Sequence, residues 1–224
     1  MPKRRYNKRK PLTKQQYKQV AKIANKQIHK QSELKVVDAN FSTAVAVAPA
    51  DGATGIRQRL SLNTQGDSRS QREGDSIYLK NLSIRGWVDN GSSTNILIYR
   101  MILVQWLEFD DSTDGRPPEL GDILRNPDGS TNSMYPINSP YVTHPVYSFK
   151  ILDDRTYAWD SNNASAPKPY RVNISAKDLG RRKINFEANG ADCNGNIYLF
   201  HFADQTSTGA GMTDCDYRVR YFDN

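Results

Sequence analysis

Two hydrophobic periods divide the chain. From Thr13 to about Gln31 there is no Gly or Pro, and Tyr17, Val20, Ala21, Ala24 and Ile28 recur at steps of three and four. That narrow apolar stripe predicts a helix with Thr13 as its N-cap. Lys14, Lys18, Lys22, Lys26 and Lys30 recur every fourth residue. Four residues advance a helix by about 40° beyond one turn, so the lysines trace a slowly winding ridge. An isolated helix of this length is marginal in water, and like charges at i,i+4 weaken it further. It is expected to form fully when a polyanion binds or a partner packs on its stripe.

From residue 41 the period becomes two. Phe41, Thr43, Val45 and Val47 predict a first short strand. Ile56, Leu60 and Leu62 form a second, with Arg57 and Arg59 on the other parity. Ile77 to Val88 reads as a long strand with a phase break near Asn81, the signature of a bulge. Ile96 to Leu107 is almost continuously apolar, as in a central strand buried on both faces. Tyr147, Phe149 and Ile151 alternate up to Asp153-Asp154, which reads as a turn with Thr156 to Trp159 returning as a hairpin partner. Tyr170/Val172/Ile174, Ile184/Phe186, Ile197 to Phe202 after a Gly195-Asn196 turn, and Tyr217/Val219/Tyr221 complete the set. The body's only helical candidate is Pro117 to Leu124. Eight or nine strands, roughly, with almost no helix indicate a sandwich or barrel. With no internal repeat, one domain over residues 36–224 follows an arm over residues 1–35.

Charge sharpens that division. The 224 residues carry 31 Lys+Arg and 24 Asp+Glu, a formal +7. Residues 1–35 hold twelve bases and one acid, giving +11, which leaves 19 bases and 23 acids, or −4, for the rest. A body that is negative overall is expected not to attract nucleic acid, so binding falls to the arm. Lys3, Arg4, Arg5, Lys8, Arg9 and Lys10 form two basic triplets between Pro2 and Pro11, a segment expected to be disordered when free. They also fit a nuclear localisation pattern. With the five ridge lysines they make a phosphate-neutralising array of low sequence selectivity and steep salt dependence. A solvated tail and a membrane-surface helix are the alternatives, the latter with a small apolar face.

Several classes drop out. The longest apolar run contains Arg100 and Gln105 and is too short to span a bilayer. The basic N-terminus has no apolar core behind it, unlike a secretory signal. Cys193 and Cys215 are too few for a disulfide framework or a four-cysteine zinc site; they could meet, but two buried thiols are the expectation. No phosphate-binding, nucleophile-elbow or zinc-protease motif is present, and the chain is not read as an enzyme. Of the histidines, His29 lies in the arm, His144 in a loop and His201 in an apolar strand, where packing is the expected role. Asp110, Ser112, Asp114 and Gly115 match the opening of a calcium loop, but Gly121 stands where the closing Glu belongs. A solvated acidic loop is expected there; calcium shared through Asp110 and Asp114 at a subunit interface is the alternative. No other cofactor is implied. Among the tryptophans, Trp106 reads as core; Trp87 and Trp159 could stack bases. Tyr135, Tyr141 and Tyr157 suit subunit interfaces.

Particular blocks resemble a known family. Gln71 to Asp75 followed by Ile77 to Gly86 resembles the opening strand of capsid proteins from circular Rep-encoding single-stranded DNA viruses, the circovirus-like group. Tyr99 to Trp106 with Arg116 to Leu124 resembles their third strand and loop helix, and Ser148 to Thr156 a hairpin of theirs. The same blocks are similar to satellite tobacco necrosis virus coat proteins, which enclose single-stranded RNA. The resemblance covers about residues 1–160 and fades beyond. It implies a single eight-stranded jelly roll whose copies close into an icosahedral shell with the arm on the genome. About 60 copies, the smallest complete set, would gather roughly 660 arm charges for counterion-release binding. It implies a virion protein and homo-oligomer, with a host receptor the sequence does not identify. Circoviral arms are longer and arginine-rich, so the cargo stays open, with DNA favoured over RNA and a host-nuclear stage following from DNA. Loops 63–75, 108–118 and 126–145 are the candidates for the exterior. The rival readings are a non-viral nucleic-acid-binding β-protein and a cupin-type enzyme or lectin.

Overall fold

The computed structural model describes residues 13–31, 34–44, 57–60, 71–72, 74–91, 98–109, 116–125, 137–143, 145–159, 166–186, 193–204 and 211–223. The chain divides into two compact units, Met1–Glu33 and Leu34–Asn224. The first contains helix α1 (Lys14–Gln31). Its start is fixed by a reciprocal cap: the Gln16 N–H donates to Thr13 Oγ1 (3.3 Å) and the Thr13 N–H donates to Gln16 Oε1 (2.9 Å). Two otherwise orphaned donors are thereby satisfied, as in a capping box.

The second unit is a sandwich of antiparallel sheets. Its strands are β1 (Leu34–Ala44), β2 (Arg57–Leu60), β3 (Ser76–Asp89), β4 (Ile98–Trp106), β5 (Phe149–Ala158), β6 (Lys168–Ser175), β7 (Lys183–Asn185), β8 (Ile197–Ala203) and β9 (Gly211–Asp223). A short helix, α2 (Leu120–Ile123), follows β4. One sheet runs β1-β9-β3-β6, with β7 also on β3; the other runs β2-β8-β4-β5. The pairings are nested about the β4–β5 connection: β4 with β5, β3 with β6, β2 with β8 and β1 with β9.

Burial follows the two kinds of strand in the sequence. In β6, Tyr170, Val172 and Ile174 are buried while Arg171, Asn173 and Ser175 are exposed. In β4 every residue after Ile98 is buried. One face of β4, with Tyr99, Met101 and Leu103, joins Ile84, Leu199, Val219 and others in the core between the sheets. The other face, with Ile102, Val104 and Trp106, packs under Leu120, Ile123, Ile137 and Tyr147 in a second core outside the four-stranded sheet. The bulge read at Asn81 is present: the β3–β9 register shifts between Leu79 and Asn81, so both apolar parities of β3 face inward. At Gly86 the backbone passes so close to β9 that a Cβ would lie 2.1 Å from Cys215 Sγ.

Several expectations are corrected. The first strand begins at Leu34 rather than near Phe41, because Val37, Ala39 and Phe41 pack together against the inter-sheet core. Lys35 thus belongs to the sandwich: it is 2 % exposed and pairs with Asp223 at 3.1 Å. Moving it makes residues 1–33 +10 (eleven bases, one acid) and residues 34–224 −3 (20 bases, 23 acids). Asp153-Asp154 is no turn; β5 runs through it, since Arg100 and Arg155 neutralise the two carboxylates at 2.7 and 2.9 Å. The block likened to an opening strand is the third strand of the chain, and the one likened to a third strand is the fourth. Within the loop expected at 63–75, Arg72 is fully buried with its guanidinium 4.1 Å over the Phe186 ring. Within the loop expected at 126–145, Ile137 and Ser139 are buried against the second core while Asn138 and Pro140 are exposed.

Candidate nucleic-acid interface

The helix presents part of the lysine ridge as drawn from the sequence. Lys14, Lys18 and Lys22 are exposed on α1, and successive ridge lysines lie about 6 Å apart along the axis. Lys26 and Lys30 continue the helix, with their side chains outside the described residues. Lys3, Arg4, Arg5, Lys8, Arg9 and Lys10 lie wholly outside them. In the stripe beside the ridge, Tyr17 and Val20 are each more than half exposed, and Ala21 and Ala24 are exposed as well. The first turn holds no acid, so nothing in it offsets the positive end of the helix dipole.

A second basic surface was not anticipated. On the outer face of the five-stranded sheet, Lys80, Arg85, Arg171, Lys183, Arg218 and Arg220 occupy outward positions of β3, β6, β7 and β9. Asp38, Asp89, Asp214 and Asp216 are the acids of that face, and they are unevenly placed. Asp38 is clamped by Arg218 at 2.6 and 2.8 Å, and the guanidinium's hydrogen bonds hold its carboxyl below the usual range. Asp89 and Asp214 sit at one end, where Asp214 occupies an irregular register with φ 48°. Towards the middle, Arg85 stands directly opposite Arg171, with Asp216 across from Arg85 on β9. Neither Arg85 nor Arg171 makes a hydrogen bond or ion pair among the described residues. Trp87, two positions along β3, is 42 % exposed, whereas Trp106 and Trp159 are buried. Thus the body's net charge of −3 is not shared evenly by its surface: among the described residues this face sets six bases against four acids. The signal was available as basic residues on the polar parity of alternating strands, Tyr170-Arg171-Val172 and Arg218-Val219-Arg220.

The remaining candidates carry less. Asp110 and Asp114 lie outside the described residues, and among those described no cluster of His, Cys, Asp and Glu could hold a metal. His144 and Tyr135 also lie outside them, and the His29 side chain is not described. His201 packs in the core opposite Met101, stacked 6.2 Å from Tyr99, with neither ring nitrogen hydrogen-bonded. Burial pushes its pKa down to about 4, unsuited to a base at neutral pH. Cys193 and Cys215 are buried thiols, and burial pushes Cys215 up to about 12. Tyr141 is used internally: its hydroxyl donates to Asp154 Oδ2 beneath Arg100. The Tyr157 hydroxyl donates to the Pro169 carbonyl at 3.1 Å. No helix among the described residues is long and apolar enough to cross a membrane.

No protein-family model matches the chain, and no curated protein matches it.

Proposed function

We propose that the chain is a viral capsid protein whose sandwich is an eight-stranded jelly roll, and whose copies close into a small icosahedral shell around a single-stranded nucleic-acid genome. The observation that carries this reading is the nested pairing of β1/β9, β2/β8, β3/β6 and β4/β5 across two four-strand paths, with β7 a short addition on β3. A long antiparallel ribbon folded over on itself gives that order, the double Greek key of capsid, lectin and cupin domains. The lysine-ridged arm separates those three, since a lectin or cupin has no use for it. Residues 3–30 neutralise the genome's phosphates without reading bases, and the two basic triplets serve nuclear entry if the cargo is DNA. In a closed shell of about 60 subunits the +10 arms gather roughly 600 charges in one compartment, which is why low affinity per arm suffices.

The non-viral nucleic-acid-binding β-protein gains from one observation, the basic outer face of the five-stranded sheet. The two readings part on assembly. Negative-stain electron microscopy of the purified protein is expected to show uniform small shells whose nucleic-acid absorbance is lost to DNase or RNase once they are opened. Light scattering that reports a monomer at every salt and pH tried overturns the capsid reading.

A further inference from the structure

Outside the arm, the surface feature with the least internal explanation is the pair Arg85 and Arg171. Their Cα positions are directly paired across β3 and β6, both side chains are exposed, and neither makes a hydrogen bond or ion pair among the described residues, although Asp216 stands across from Arg85 on β9. Like charges directly opposite each other destabilise an antiparallel pair. Nothing in the packing demands them, because the outward positions of β6 are otherwise filled by neutral Pro169, Asn173 and Ser175. An anion seated between the two guanidinium groups removes the repulsion, and a phosphodiester suits the fork geometry of arginine. Arg220, Lys80 and Lys183 extend the positive field along the same face.

A phosphate alone would suit many partners; Trp87 narrows the choice. Ile84 and Val88 are buried while Arg85 and Trp87 are exposed, so the arginine and the indole share one face two residues apart. That is about 7 Å along a strand. A large aromatic left in water beside arginines that make no ion pair matches a backbone-tracking groove with a stacking platform, the general means of holding single strands without sequence preference. An acidic peptide would use the charges but has no need of the ring. A duplex keeps its bases stacked inside and cannot offer one to Trp87.

We infer that the outer face of the five-stranded sheet is a second contact surface for single-stranded nucleic acid, with Arg85 and Arg171 holding phosphate and Trp87 stacking a base. This rests on the nucleic-acid part of the proposed function and is independent of shell formation. It assigns the arm non-selective neutralisation and gives the sandwich a fixed point at which the strand is held.

The test uses the full chain, dissociated into subunits, with an oligothymidylate and an oligouridylate as probes. Because Trp106 and Trp159 are buried, Trp87 is the tryptophan among the three that a base can stack on, and a change in emission lost in Trp87→Phe reports it. Quenching is expected for the native protein and is expected to vanish in Trp87→Phe. Arg85→Gln with Arg171→Gln is expected to reduce the slope of log affinity against log salt by roughly one. Lys14→Gln, Lys18→Gln and Lys22→Gln together are expected to reduce the slope while leaving the quench in place. Oligonucleotide binding with unchanged tryptophan emission, or an unchanged slope in the double arginine variant, overturns this inference and leaves the arm's role standing. No binding of either oligonucleotide by the native chain overturns both.

Discussion

The sandwich has two outer faces, and they are built on opposite rules. The four-stranded sheet is apolar outside as well as inside, with Ile102, Val104, Trp106 and Phe200 under a cover of α2 and the Ile137–Tyr141 segment. The five-stranded sheet leaves Arg85, Trp87, Arg171 and Arg218 in water. On the open face, water satisfies whatever polar group stands there. On the covered sheet a polar group must find protein partners or forgo them, because stranding it without either is expensive. Arg100, on the covered outer face, and His201, on the inner face of the same sheet, show the two outcomes.

Arg100 found its partners. Nε and Nη2 donate to the two oxygens of Asp154 at 3.0 and 2.7 Å, and Nη1 donates to the carbonyls of Ile137 and Ser139 at 3.0 and 2.8 Å. One side chain thereby fastens the cover to the sheet. Burial alone would raise the Asp154 carboxyl; the hydrogen bonds from Arg100 and Tyr141, together with the guanidinium's charge, outweigh it and leave it lowered. The largest expected effect follows. Arg100→Met leaves the Asp154 carboxylate with Tyr141 alone, strands two carbonyls and is expected to cost about 3 kcal/mol, the low end for a broken buried pair because Asp154 keeps that hydrogen bond and some solvent contact. Urea unfolding measures the loss, and amide exchange at Ser139 and Tyr141 is expected to quicken. Arg171→Met, on the open face, is expected to stay within about 0.5 kcal/mol. Equal losses in the two variants would erase the distinction between the faces.

His201 forgoes its partners, so it penalises acid. Its folded pKa of about 4 lies below the ordinary 6.5, so between those values the unfolded chain binds the proton and the folded one does not. The stability tied to the neutral ring is complete above about pH 6.5, falls as the pH drops towards 4, and changes little below that. The full difference is about 3 kcal/mol. His201→Phe keeps an aromatic ring against Tyr99 and has nothing to protonate. It is expected to flatten the urea midpoint between pH 6.5 and 4 relative to the native chain. A variant that keeps the same slope would place the acid sensitivity elsewhere.

The same contrast explains what could be read in advance. Alternating strands such as β6 and the continuous β4 were legible because their patterns record one covered face or two. The bulge at Asn81 was legible because it moves the apolar residues of β3 from odd to even positions. The Asp153-Asp154 error came from reading two acids as a turn, when a third residue fifty-odd positions away neutralises one of them inside a strand. The early start of β1 was hidden for a similar reason: Lys35 reads as arm until its partner Asp223, at the other end of the chain, is known. The lysine ridge needed only helical spacing. The sheet-face arginines required the pairing register, because Arg85 and Arg171 are far apart in sequence and meet only across β3 and β6.

That register supplies the smallest and most discriminating effect. If Arg85 and Arg171 were there for the fold, converting one to the opposite charge should disturb it. If they are there for an anion, Arg171→Glu turns a repulsive cross-strand pair into an attractive one. The exposed pair is then expected to stabilise the sandwich by about 0.2–0.5 kcal/mol, a gain that shrinks as salt screens it. The same substitution places a carboxylate where phosphate was to sit, so oligonucleotide affinity is expected to fall. A small rise in unfolding midpoint at low salt together with weaker binding marks arginines kept against stability for a ligand. A fall in both would mean that Arg171 supports the sheet, and the open face would then be built by the rule of the covered one.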